Sequence, residues 1–293
     1  IDLNVKVKSN IVDRNEMRFI LLLLLFYNGR LTYQTFSEPF YNYLINSYGI
    51  QAARVIARPD FGSGGSFGGT NNTNIIIHKR PVIIVHGVTN TAGKFNFVRN
   101  FLLMNNYTND EIYGTTYGEG PKRFIVFVHI ECQFIRQIRV LISAVSKYTR
   151  SKVDVLAYSM GSPVARKAML GGTCEESELG DPLTDLVESF VSVAGANFGS
   201  FLCFVPIGIC NDRNGLHCDS EFLHELNAQP IKYEGRRTYS IYTTTDNKVG
   251  HDCCGTNCSF LPHADEEFVY NKWDHDQIMT GTLKLQLELI NRK

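Results

Sequence analysis

The stretch that most restricts the fold is Val153-Asp154-Val155-Leu156-Ala157-Tyr158-Ser159-Met160-Gly161. It begins as an apolar β run and ends in a small-x-Ser-x-small pentapeptide. Ser162 to Leu170 then reads as a helix, closed by Gly171-Gly172. Small-x-Ser-x-small is common by chance and fits an ordinary turn. A strand on one side and a helix on the other make it something narrower, a sharp corner that holds the Ser hydroxyl out above a sheet. Such a corner strains the Ser backbone, so the residues two before and two after it need almost no side chain. Ala157 and Gly161 meet that need, with Ala in the first of two places where Gly is usual. The helix start also points unpaired N–H groups at the corner, where a developing negative charge is stabilised.

The rest of the chain reads around this corner. Phe40, Tyr41, Leu44, Ile45 and Tyr48 give one apolar helical face within residues 34–58. Gly62 to Gly69 is Gly-rich and reads as a flexible linker. It lacks the Gly-Lys-Ser/Thr of a phosphate loop. Pro81 to Val85 is apolar throughout, as a central parallel strand is, and ends in His86-Gly87-Val88, with a helix expected over 95–104. Phe124 to Val128 is expected as the next strand. Residues 133–148 place Ile135, Ile138, Leu141, Ile142 and Val145 on one face of a crossover helix. Phe190 to Ala194 and Tyr239 to Tyr242 supply two more strands, and residues 276–290 a closing helix. Strands alternating with helices imply an α/β architecture with a mainly parallel, doubly wound sheet.

Met17-Arg18 opens a short apolar run, Phe19 to Tyr27, with five consecutive Leu. A positive start and a brief apolar core read as a secretory signal peptide, too short to span a bilayer as a stable transmembrane anchor. Met17 is then the expected start, with cleavage between Tyr27 and Thr32; the alternative is a buried helix. The expected domains are an upstream segment with signal peptide over 1–30, a helical extension and Gly-rich linker over 31–78, and a catalytic domain over 79–293. Eight Cys, at 132, 174, 203, 210, 218, 253, 254 and 258, fit disulfides in a secreted protein. Eight allow 105 pairings, and sequence alone selects none. A zinc site at Cys253-Cys254 and Cys258 lacks a second ligand pair at finger spacing. Asn71-Asn72-Thr73 and Asn106-Tyr107-Thr108 are glycan acceptors in a secreted chain; Asn257-Cys258-Ser259 is a weaker one if Cys258 is bridged. Formal net charge is zero and no basic stripe is present, which argues against nucleic acid.

A Ser hydroxyl needs a base to take its proton, and the base is normally a His held by a carboxylate. In α/β-hydrolases the order along the chain is Ser, then Asp or Glu, then His. Asp246 follows the Tyr239–Tyr242 strand, at the end where such sheets carry their sites. His275 lies directly before the closing helix. Asp252, His251 and His263 are rivals for the two roles, whereas His129 reads as a satisfied strand-end residue. Two backbone donors are needed for the oxyanion. Met160 N–H and Val88 N–H are the candidates, and His86 is expected to shape the turn rather than react.

Pro81 to Val88, Tyr113 to Gly118, Val153 to Lys167, Ser192 to Asn197 and Asn271 to Asp276 together resemble the class 2 lipase family. These are secreted, nematode-type α/β-hydrolases, distantly similar to small bacterial lipases. The resemblance runs from residue 38 onward. It implies the α/β-hydrolase fold and hydrolysis of lipid carboxylic esters, with no metal or organic cofactor. It also implies Ser159 as nucleophile, Asp246 as acid and His275 as base. The adjacent Cys253-Cys254 is richer in Cys than the family pattern. The expected partner is a lipid or ester substrate at a lipid–water interface. Two other functions fit the same fold: acyl transfer to an alcohol, and non-catalytic lipid binding, against which an intact Ser, Asp and His argue.

Overall fold

A computed structural model describes residues 35–71, 76–175, 177–205 and 208–292. The expected signal peptide and cleavage site lie outside these residues. All described residues belong to one compact unit, Gln34–Lys293.

Seven strands form the main sheet in the order β1-β3-β2-β4-β7-β8-β9. They are β1 (Ser66–Phe67), β2 (Val82–Val85), β3 (Ile112–Thr115), β4 (Val153–Tyr158), β7 (Val187–Val193), β8 (Arg237–Thr243) and β9 (Glu266–Tyr270). Only β1 runs antiparallel. A separate hairpin joins β5 (Gly172–Cys174) to β6 (Ser177–Gly180).

Side chains alternate between the two faces, as the pleat requires. Ile83 and Val85 of β2 and Val153, Val155 and Ala157 of β4 enter one core. That core is covered by α1 (Glu38–Tyr48), α2 (Ile50–Ala57), α4 (Cys132–Thr149) and α5 (Gly161–Leu170). Val82, Ile84, Leu156 and Tyr158 enter the other, beneath α3 (Asn96–Met104), α7 (His275–Gly281) and α8 (Leu283–Asn291). Burial on both faces is why β2 reads as an unbroken apolar run and β4 as one interrupted by Asp154. The elements give the α/β-hydrolase arrangement, a mainly parallel sheet sandwiched between helices.

Four expectations change. The helix expected over 34–58 is two helices, broken at Gly49, whose φ of 82° ends α1 and begins α2. Gly62 to Gly69 is not a linker: Ser66 and Phe67 pair with Thr115 and Gly114 of β3 and are buried. Phe124 to Val128 is not a strand. Residues Ile125–Phe127 form an exposed 3-10 turn, and β3 takes the sheet position instead. The closing helix is also two, α7 and α8, separated at Thr282. The edge strand β9 is an addition to the expected set.

The described cysteines are all bridged, as Cys132–Cys174, Cys203–Cys210, Cys218–Cys254 and Cys253–Cys258. This leaves Cys253, Cys254 and Cys258 no thiolate for zinc. These four disulfides fit an extracellular protein. Among the described residues no helix is long and apolar enough to cross a membrane.

Candidate active site

Ser159 sits between β4 and α5 with a φ of 56°, left-handed for a residue with a side chain. Its N–H donates to the Val193 carbonyl at 3.1 Å, and its carbonyl accepts from Ser162 and Ala196 at 3.0 and 3.2 Å. These bonds hold a conformation that costs roughly 1–3 kcal/mol. The small flanking residues have a visible cause. A Cβ on Gly161 would lie 2.3 Å from the His86 carbonyl oxygen and 2.7 Å from that of Val85. A Cβ on Gly87 would lie 2.9 Å from the Ser159 Cβ. The β2 turn therefore packs directly against the corner.

The helix α5 is anchored from behind. Arg166 is fully buried, and its Nε donates to Glu234 Oε1 at 2.9 Å while Nη1 donates to Asn227 Oδ1 at 2.9 Å. Lys167 pairs with Glu225. These bonds fasten α6 (Glu221–Asn227) and the loop after it to the corner helix.

Ser159, His275 and Asp246 form one hydrogen-bonded chain. Ser159 Oγ lies 3.0 Å from His275 Nε2, and His275 Nδ1 lies 2.7 Å from Asp246 Oδ2. All three are buried. Asp246 stands after β8, where its Oδ1 accepts N–H bonds from Lys248, Val249 and Gly250 at 2.9, 2.8 and 3.3 Å. Burial pushes the Asp246 carboxyl up, but the His275 bond and charge and the backbone N–H groups outweigh it and hold it below the usual carboxylate range. His275 is the first residue of α7 rather than the one before it. Asp274 caps that helix, accepting from the Asp276 and Gln277 N–H groups.

The rivals lie elsewhere. His251 and Asp252 are exposed, and Asp252 accepts from Gly255 N–H. His263 is exposed and meets the Gln229 carbonyl at 3.0 Å. His129 meets Asn211 Nδ2 at 3.2 Å and follows no strand. His86 is buried, stacks on Tyr117 at 4.2 Å, donates from Nδ1 to the Gly87 carbonyl at 2.8 Å and accepts at Nε2 from Tyr117 N–H at 3.1 Å. Burial pushes its pKa down to about 4, against the Gly87 bond, so it is neutral at physiological pH. Among the described residues, the N–H groups of Val88 and Met160 donate to no acceptor. His217, Cys218 and Asp219 approach one another, but the Cys218 sulfur is in a disulfide.

A cleft of about 510 Å³ opens over Ser159 and His275. Val88, Ile125, Leu202, Ile209, Leu216 and Val249 give it an apolar lining. The cleft's Ile125 and Leu202 belong to two runs rich in exposed apolar side chains. Phe124 to Phe127 and Phe201, Leu202, Phe204 and Val205 are exposed, Phe124 at 79% and Phe204 at 81%.

The family described as Lipase (class 2) matches residues 79–288, most of the chain. The chain belongs to the class 2 lipase family. It is thus a lipolytic hydrolase of carboxylic esters. Among solved structures, the mature lipase BlEst2 of Bacillus licheniformis is similar at 15% identity, with a TM-score of 0.56 over 78% of this chain and 98% of that one. Lipase B of Aspergillus fumigatus is similar at 17% identity, with a TM-score of 0.50 over 71% of this chain and 47% of that one. At these identities the likeness is one of fold. Comparison with curated proteins returns no match.

Sequence reasoning missed the residues packed around His275, namely Tyr158, Asn247, Lys248 and Asp276. Tyr158, Asn247 and Asp276 each adjoin an expected site residue in sequence, and Lys248 lies two beyond Asp246. That adjacency was the available signal, although it does not say which of them pair.

Proposed function

We propose that the protein is a secreted serine hydrolase that cleaves lipid esters through an acyl-enzyme on Ser159. The observation that carries this is the Ser159–His275–Asp246 chain of hydrogen bonds at the floor of an apolar cleft. His275 donates Nδ1–H to the ionised Asp246, which leaves Nε2 to accept the Ser159 proton. Ser159 Oγ attacks the ester carbonyl, and the oxyanion accepts from Val88 and Met160 N–H. His275 then protonates the leaving alcohol. Water, deprotonated by His275, attacks the acyl-enzyme and releases the acid. The apolar lining suits an acyl chain. The exposed apolar runs that include the cleft's Ile125 and Leu202 suit a lipid–water interface, where such residues leave water.

The four disulfides and the lack of a membrane-spanning helix among the described residues support an extracellular location. Asn106 is exposed on a turn and available for a glycan. Incubation with a fluorophosphonate tests the chemistry: the wild-type protein is labelled on Ser159, and Ser159→Ala keeps its fold and loses both label and ester hydrolysis. A folded, unlabelled wild-type protein that still binds lipid points to a binding protein instead. Transfer of the acyl group to added alcohol, in excess of hydrolysis, points to an acyltransferase.

A further inference from the structure

We propose that Tyr158 and Asp276, joined to Lys248, are positioning residues that hold the His275 imidazole between Asp246 and Ser159. The inference rests on the roles given above to Ser159, Asp246 and His275. Three separate chain segments meet around that ring: the end of β4, the turn after β8 and the start of α7. Tyr158, the residue immediately before Ser159, donates its hydroxyl to Asp276 Oδ1 at 2.9 Å. The same hydroxyl lies 3.2 Å from the His275 carbonyl, and the phenol ring lies 4.9 Å from the imidazole. Lys248 donates Nζ to Asp276 Oδ2 at 2.6 Å. Its own backbone N–H donates to Asp246. Asn247 Oδ1 accepts the His275 backbone N–H at 3.3 Å.

These contacts close a loop that runs from Ser159 through Tyr158, Asp276, Lys248 and Asp246 to His275 and back to Ser159. The imidazole needs such a frame. Its two ring bonds fix its plane only while the backbone of His275 stays in place, and that backbone belongs to the first turn of a seven-residue helix. Ile278 and Met279 bury one face of this helix, and Tyr158 fastens the end that carries His275. Tyr158 supplies a fastening in the right protonation state. Burial, and then the neighbouring Asp276 carboxylate, push its hydroxyl well above the usual phenol range, so it remains a donor. The partner carboxylate is ready to accept. Burial raises Asp276, but the Lys248 and Tyr158 bonds prevail and hold it below the usual range. Tyr158 borders the cleft, but its hydroxyl is spent on α7, so the role argued for it runs through His275.

The test compares Tyr158→Phe, Asp276→Asn and Asp276→Ala in the full chain, with a soluble p-nitrophenyl ester. Tyr158→Phe lowers kcat about tenfold, the scale of one lost hydrogen bond to a carboxylate, and leaves KM within about twofold. Asp276→Asn, which still accepts from Tyr158, retains more activity than Asp276→Ala. The low-field proton NMR signal of the His275 Nδ1–H bond to Asp246 weakens in Tyr158→Phe. Wild-type kcat in Tyr158→Phe overturns the proposal, as does a fall fully accounted for by unfolded protein or by a raised KM. Fluorophosphonate labelling separates the two readings. If Ser159→Ala loses the label while Tyr158→Phe reacts at the wild-type rate, the positioning role fails and the nucleophile assignment stands. If wild-type protein takes no label at Ser159, both fail.

Discussion

Asp246→Asn tests the site with the fewest atoms changed. Oδ1 of Asp246 accepts three backbone N–H groups and Oδ2 faces His275 Nδ1 at 2.7 Å. An amide has one acceptor oxygen to offer. Turned toward the backbone, it satisfies Lys248, Val249 and Gly250. Turned toward His275, it leaves three N–H groups, two of them buried, facing an NH2 donor, at roughly 1–3 kcal/mol for each buried unsatisfied group. The first orientation wins, and the NH2 then faces Nδ1. Nδ1 can only accept from it, so the ring proton moves to Nε2. That proton points at Ser159 Oγ, and no base remains for the Ser proton. A wrong tautomer of this kind costs about 10⁴-fold in kcat, or about 5 kcal/mol in the barrier. The assay is kcat and KM on a soluble ester, with a thermal midpoint to verify folding and nitrogen NMR of His275 to read the tautomer. The reasoning fails if the folded variant keeps more than about a hundredth of wild-type kcat. It fails equally if His275 keeps its proton on Nδ1.

Two further outcomes follow from close approach and from burial. Gly161→Ala puts a carbon 2.3 Å from the His86 carbonyl oxygen, so the β2 turn retreats by about 1 Å and kcat falls about 10²-fold; Gly64→Ala, whose added carbon meets nothing nearer than 3.5 Å, serves as the control at wild-type rate. Asp154, on β4 beside Arg80, has its pKa raised to about 7, chiefly by burial, against the Arg80 pair. The folded state thus holds this proton where the unfolded chain, at about 4, has released it. Its contribution to stability is fully present below about pH 4, declines by an amount of order 4 kcal/mol up to about pH 7, and is flat above that. Denaturant unfolding of wild type against Asp154→Asn across that range shows the decline in the wild type only; parallel curves refute it.

The central strands were legible because β2, β4 and β7 are buried on both faces, and burial leaves a local mark in the residue types. The strand β3 left a fainter one. Its Gly114 interrupts the apolar run, since a Cβ there would meet the Phe67 ring at 2.5 Å, and Phe67 lies far away in sequence. Phe124 to Phe127 misled for the opposite reason. Residue type alone does not tell a buried apolar run from an exposed one, and this run is exposed, with only Ile125 lining the cleft. The edge strand β9 begins with Glu266-Glu267, both exposed, and so lacks the apolar signature. That Asp246 and His275 meet Ser159 in one hydrogen-bonded chain could be read from chain order after the corner, and their roles there are the proposal. The Tyr158–Asp276–Lys248 contacts were not, because they join the end of a strand, a turn and the start of a helix, whose approach only the folded sheet decides.

That same folded context specifies how His86 shapes the turn after β2. The Gly87 carbonyl accepts from His86 Nδ1–H at 2.8 Å and from Asn90 N–H at 3.3 Å. A trans peptide is planar, so its C=O and the next N–H point in opposite directions. Fixing the Gly87 carbonyl therefore fixes the Val88 N–H on the far side of the peptide, and Val88 lines the cleft over Ser159. Tyr117 completes the arrangement by donating its N–H to His86 Nε2 and its hydroxyl to the His86 carbonyl. Both ring nitrogens are thereby assigned, and burial keeps the ring neutral. A protonated His86 would lose the Tyr117 bond and release the peptide it orients. In the proposed mechanism the oxyanion donor is thus set before substrate arrives, by a histidine whose value lies in never changing charge.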